Sequence, residues 1–169
     1  METTGQNKII NTLYGFLILS TILGFVPNGM AFAASFALWV VTLIAAYIYR
    51  RKDTEDGLLY NHMTYLIGTI WIGTSFILIG TLIAGAWVYF YGNNGPLDAA
   101  VVQINGGTVP DDAMLQGVMR EYLLVNKSLL ITASIVAVGP AILYFVYRVA
   151  NGLSRAAKGY RLANPKSWL

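Results

Sequence analysis

The chain has 169 residues, of which 56% are hydrophobic and only 11% charged, less than half the ~25% charged share of a typical soluble domain. Lys and Arg outnumber Asp and Glu by 11 to 8, yet they form no basic, aromatic-interleaved segment, so the positive balance does not point to nucleic acid. Cysteine is absent, which excludes disulfides, thiolate metal sites and cysteine nucleophiles together.

The few charges are clustered. No Asp, Glu, Lys or Arg occurs from Ile9 to Tyr49, from Gly57 to Leu97, or from Ser128 to Tyr147. Uncharged apolar runs of roughly 18 residues or more read as transmembrane helices. The pattern predicts an all-α, polytopic membrane protein with four spans.

The first run is too long for one crossing, and the turn formers Pro27, Asn28 and Gly29 in "VPNGM" divide it. Spans one and two are placed at about 9–26 and 30–49. Lys8, an apolar run and Ala31-Phe32-Ala33 together imitate a signal peptide. The run exceeds the usual h-region of about 7–15 residues, so it is read as an uncleaved span. The loop "RRKDTEDGLLYNH" follows, and Arg50, Arg51 and Lys52 are expected to anchor the helix end at lipid headgroups.

Span three, about 63–91, opens beside His62, the only histidine. At 100° per residue, Thr69, Gly73, Gly80 and Ala84 fall in an arc of about 60°, with His62 at its foot. A stripe of small residues lets helix backbones approach closely. These five positions are therefore expected to pack the bundle or to form an oligomer seam. His62 is expected to be a buried hydrogen-bonding post between helices; metal binding would need ligand company that the sequence does not supply.

The connection 92–127 is the largest extramembrane piece. "GNNGPLD" and "NGG" read as turns, and "TVPDDAMLQGVMREYLLVNK" as a helix capped at Thr108 with Pro110 in its first turn. Met114, Val118 and Tyr122, at i, i+4 and i+8, make one apolar face that could dock a partner. Span four is placed at 128–147. In the following segment, 148–169, Arg148, Asn151, Arg155 and Lys158 share an arc of about 80°. That predicts a basic amphipathic helix on anionic lipid, ended at Pro165, with Trp168 as interface anchor.

Counting Lys and Arg sets the orientation. Nine of them (Lys8, Arg50, Arg51, Lys52, Arg148, Arg155, Lys158, Arg161 and Lys166) fall on one side of the four-span arrangement, against Arg120 and Lys127 on the other. The positive-inside rule then makes both termini cytoplasmic. The spans contain no ionisable group of the kind that proton- and ion-coupled carriers keep, and no paired carboxylates, nucleophile with a base, or phosphate loop appears. The expected role is non-catalytic, without metal or cofactor: an accessory or scaffolding subunit whose partners are lipids and other membrane proteins or copies of itself. A homo-oligomeric channel or carrier for an unknown solute is the alternative from another class.

"GLLYNHMTYLIGTIWIG" and "YFVYRVANGLSRAAKGYRLANPKSWL" resemble the small bacterial inner-membrane proteins related to the chloroplast Tic import component. The matched features are Asn61-His62, Tyr65, Thr69 and Trp71, then Tyr147-Arg148, Gly152 and Pro165-Lys166-Ser167-Trp168. The resemblance implies four helices, cytoplasmic termini and the bacterial inner membrane, and no established activity. The long 92–127 connection departs from that compact pattern.

Overall fold

The computed structural model describes residues 2–167, and every regular element among them is helical. There are six: α1 (Glu2–Gly24), α2 (Gly29–Arg50), α3 (Leu58–Tyr91), α4 (Gly95–Asn105), α5 (Asp112–Val125) and α6 (Lys127–Ala157). Three of them, α2, α3 and α6, are long and apolar enough to cross a membrane. This corrects the expected four. Helix α1 carries Asn7, Lys8 and Asn11 and stops at Gly24, so its uncharged stretch falls short of the ~20 apolar residues a crossing needs.

The chain divides into two compact units, one of Met1–Ser75 with Ile142–Leu169 and one of Phe76–Ala141. In the first, "VPNGM" is the expected reversal. Asn28 caps α2, its Oδ1 accepting from the Met30 and Ala31 amides at 2.9 and 3.2 Å, which satisfies two of the donors every helix start leaves open. The two arms of this hairpin are stitched by reciprocal bonds. Ser20 Oγ donates to the Ser35 carbonyl (2.9 Å) and Ser35 Oγ to the Ser20 carbonyl (2.7 Å). Hydroxyls of this kind bind helices together where lipid removes the usual hydrophobic drive for association.

The core of this unit takes Ile10, Leu13, Tyr14 and Leu17 from α1 and Leu59, Met63, Leu66 and Ile70 from α3. The α1 set steps by three or four residues, so that helix commits one face inward, whereas the start of α3 is buried on every side from Asn61 to Ile67. Tyr65 and Ile67 of α3, Ala46, Val149 and Ala156 also belong to it, together with Leu162 from beyond α6. The hydroxyl end of Tyr14 packs against Gly152, where an added Cβ would overlap it.

The expected amphipathic helix on 148–169 is also revised. Helix α6 runs unbroken through Pro140 to Ala157, absorbing the first part of that segment. It stops there and not at Pro165, because Gly159 adopts φ +69°, a conformation natural to glycine. The Tyr160 amide reaches back to the Arg155 carbonyl (2.9 Å) and the Gly159 amide to Ala156 (3.0 Å), closing the helix end in the manner of a Schellman cap. Residues 160–167 leave as a non-helical tail. Trp168 lies outside the described residues.

In the second unit, an added Cβ at Gly80 would overlap the Ala137 carbonyl oxygen, so α3 and α6 touch backbone to backbone there. The connection 92–127 holds two helices where one was expected. "GPLD", read as a turn, starts α4, with Pro96 in the first turn and Asp98 near the positive helix end, both of which favour helix initiation. Helix α5 is capped by Asp111, whose Oδ1 accepts from the Met114 amide (2.7 Å), and not by Thr108. The carboxylate wins because it lies one residue before the first turn and complements its dipole.

These contacts separate the glycines. Gly80→Leu is expected to lower the melting temperature sharply in detergent, by overpacking worth about 1–3 kcal/mol or more. Gly85→Leu meets open space and should melt like the parent; equal melting of the two variants would contradict the backbone contact.

Candidate functional site

The polar groups of the first unit converge where α3 begins. Asp53, in the connection before it, is the local organiser. Its Oδ1 accepts from the Thr54 amide (2.9 Å) and its Oδ2 from the Tyr60 amide (3.1 Å). The carboxylate thus covers an open donor of the first turn and complements the helix dipole. It is a capping group, turned away from any shared ligand set with His62; among the described residues no three His, Asp or Glu side chains gather as metal ligands.

With α3 started at Leu58, Asn61, Tyr65 and Thr69 follow at steps of four and rise along one face. Asn61 is buried and clasps the tail. Its Nδ2 donates to the Leu162 carbonyl (3.0 Å) and its Oδ1 accepts from the Leu162 amide (2.8 Å). A carboxamide offers one acceptor and two donors, so it pairs with a residue's backbone as a neighbouring strand would. The Leu162 side chain enters the core beside it.

His62 is fully buried. Its Nε2 lies 2.9 Å from the Tyr160 carbonyl, which can only accept, so Nε2 carries a proton. The Tyr14 hydroxyl stands 3.5 Å from Nδ1, with the two rings edge-to-face at 87°. The expectation was a post between helices; the shorter contact of the ring is to the non-helical tail, with the α1 hydroxyl farther off.

Arg148, expected among headgroups, is instead fully buried. This is a correction with a physical reason: α6 turns this residue toward α3, where acceptors await it. Nε donates to Thr69 Oγ1 (3.2 Å), Nη1 to the Ser167 carbonyl (2.6 Å) and Nη2 to the Tyr65 carbonyl (3.4 Å). Thr69 can accept because its own proton is spent on the Tyr65 carbonyl at 2.8 Å. The guanidinium lies 3.7 Å from the Tyr65 ring centroid, with Tyr144 at 6.0 Å, both within cation–π range. Among the described residues the one ion pair joins Arg161 to Asp56 (3.7 Å), so carbonyls, a hydroxyl and a ring do the work of a counter-ion for Arg148.

The other anchors differ from Arg148. Arg51, Arg155 and Lys158 are exposed. Arg50 stacks over Tyr47 (5.2 Å) and Lys52 over Tyr49 (5.3 Å), a disposition suited to a membrane interface. Of the small-residue stripe, His62, Thr69 and Gly73 pack within the first unit, where Gly73 faces the Phe145 side chain. Gly80 is buried and Ala84 half-buried in the second. Met114, Val118 and Tyr122 are half-buried, because α5 turns that face toward its own unit. The exposed apolar stripe is the neighbouring one, Leu115, Met119 and Leu123, at 50%, 54% and 49% exposure.

Asn126 was missed by sequence reasoning. Buried between α5 and α6, it donates to the Asn93 carbonyl (3.0 Å) and accepts from the Asn93 amide (2.6 Å), repeating the geometry that Asn61 uses on Leu162. Its signal in the sequence is a lone Asn at the junction of two helical runs, which also fits an ordinary helix cap. No protein-family model, curated protein or solved structure matches this chain.

Two expectations follow from the clasp. Asn61→Leu keeps the volume but strips Leu162 of both backbone partners, and should cost about 1–3 kcal/mol; faster protease cleavage within 160–167 is the accompanying readout. His62→Gln retains a donor for Tyr160, whereas His62→Leu does not. The Leu variant should lose tail protection and the Gln variant keep most of it; identical digestion of the two would contradict the hydrogen-bonding role of the ring.

Proposed function

We propose that the protein is a small, non-catalytic scaffolding or accessory subunit of the bacterial inner membrane, with its basic end in the cytoplasm. One observation carries this reading. The buried polar side chains that could have served chemistry, Asn61, His62 and Arg148, are all spent on the chain's own tail backbone. They fix the shape of a surface, which supports a structural role.

The orientation rests on the same end of the first unit. The tail, the start of α3 and the amino-terminal part of α1 meet there, Asn7 lying beside Gly159 and Arg161 beside Asp56. The nine cations counted above belong to this unit, which supports a cytoplasmic position for its basic end.

The resemblance to bacterial relatives of the Tic component belongs to this proposal. Residues from its two halves, far apart in sequence, meet in the clasp: Asn61, His62, Tyr65 and Thr69 on one side, and Arg148 and the tail on the other. Contact with other subunits is assigned to the exposed stripe Leu115, Met119 and Leu123, in place of Met114, Val118 and Tyr122.

Affinity purification in mild detergent with mass spectrometry tests this reading. Co-purifying membrane proteins at fixed stoichiometry, lost when Leu115, Met119 and Leu123 are changed together to Ser, are the expected result. A symmetric homo-oligomer that supports solute flux in liposomes would replace it with the channel reading.

A further inference from the structure

A hollow of about 510 Å³ opens between the connection that precedes α3 and the tail that the clasp holds. Its volume lies within the range of small-ligand sites, ~300–1,000 Å³. The charges around it are sorted by segment. Glu55 and Asp56 come from the connection, Arg161 and Lys166 from the tail, and Tyr60 from the first turn of α3. The buried pair Asn61 and Leu162 also lines it, so the clasp itself sets the spacing of the two rims.

Each rim has a distinct chemistry. Two carboxylates and a tyrosine ring suit an ammonium group, by charge-assisted hydrogen bonds and by cation–π attraction. A guanidinium and a lysine ammonium suit a phosphate. Across the hollow the charged side chains meet in the Asp56–Arg161 pair, 3.7 Å apart with both side chains exposed. An exposed pair of this kind contributes about 0–1 kcal/mol, so a ligand that supplies a better partner to each side can take its place.

We propose that this hollow binds an amino-phosphate zwitterion, its ammonium on Glu55 and Asp56 and its phosphate on Arg161 and Lys166. Two sources offer that chemistry: the headgroup of phosphatidylethanolamine, and soluble phosphoethanolamine. The basic end alone would attract any anionic lipid. The acidic rim makes the difference, because phosphatidylglycerol brings it no cation and phosphatidylcholine brings a cation without N–H donors for charge-assisted hydrogen bonds.

The test uses the full-length protein, delipidated in detergent and offered equal amounts of the ethanolamine, glycerol and choline lipids, with retention read by native mass spectrometry. Thermal stabilisation by soluble phosphoethanolamine is the parallel arm. The expected result is at least about tenfold preference for the ethanolamine lipid over the other two, reduced by both Glu55→Gln/Asp56→Asn and Arg161→Gln/Lys166→Gln. Stabilisation by soluble phosphoethanolamine without lipid retention, sensitive to the same variants, assigns the same site to the free ligand. Phosphatidylglycerol bound as well as or better than the ethanolamine lipid, a preference that survives neutralising either rim, or no response in either arm would overturn the proposal. Wild-type circular dichroism of both variants separates lost binding from lost folding.

Discussion

A guanidinium buried beside membrane-spanning helices cannot be discharged, since arginine keeps its proton under all conditions a protein meets. Arg148 therefore imposes a demand on its surroundings: every neighbour must accept a hydrogen bond or offer a π face. Thr69 meets it by first donating its own proton to the Tyr65 carbonyl. Tyr65 meets it twice, with its carbonyl and with its ring. The third acceptor, the Ser167 carbonyl, comes from the tail, and this is why the tail has a defined path. Removing the cation while keeping the acceptors would leave them unpaired, at a cost comparable to the bonds lost.

The second recurring device is the asparagine carboxamide used as a piece of backbone. Asn61 holds Leu162 and Asn126 holds Asn93 through the same pair of bonds. Non-helical segments next to a bilayer have few waters to satisfy their amides and carbonyls. An asparagine on an adjoining helix end supplies both partners at once and fixes the register of the segment it grips. In the first unit the gripped residue also drops an apolar side chain into the core, so polar pairing and packing hold the same point.

Much of the fold was legible because it is written in local signals. The reversal at Pro27–Gly29, the uncharged runs of α2, α3 and α6, and the small residues at Gly73 and Gly80 each act through composition or helical spacing. Other features were not legible, mostly because their outcome depends on packing that local spacing does not encode. Arg148 has the pattern of a headgroup anchor, and only the approach of Thr69 and Tyr65 turns it inward. The tail has the pattern of an amphipathic helix, and the left-handed Gly159 together with Asn61 redirects it. "GPLD" satisfies turn and helix-start rules equally, and the packing of α4 on α5 decides for helix. His62 was expected between helices, and nothing local to it signals a tail carbonyl 98 positions away as its partner.

The central claim is that side chains on α3 and α6 hold residues 160–167 as a fixed part of the folded unit. Hydrogen exchange of the Leu162 amide, measured on the unmodified protein in nanodiscs, addresses it most directly, because that amide donates to the Asn61 carboxamide. The account predicts strong protection at Leu162, above that of the exposed neighbours Ala163 and Asn164. Exchange at Leu162 as fast as in an unstructured peptide would contradict it.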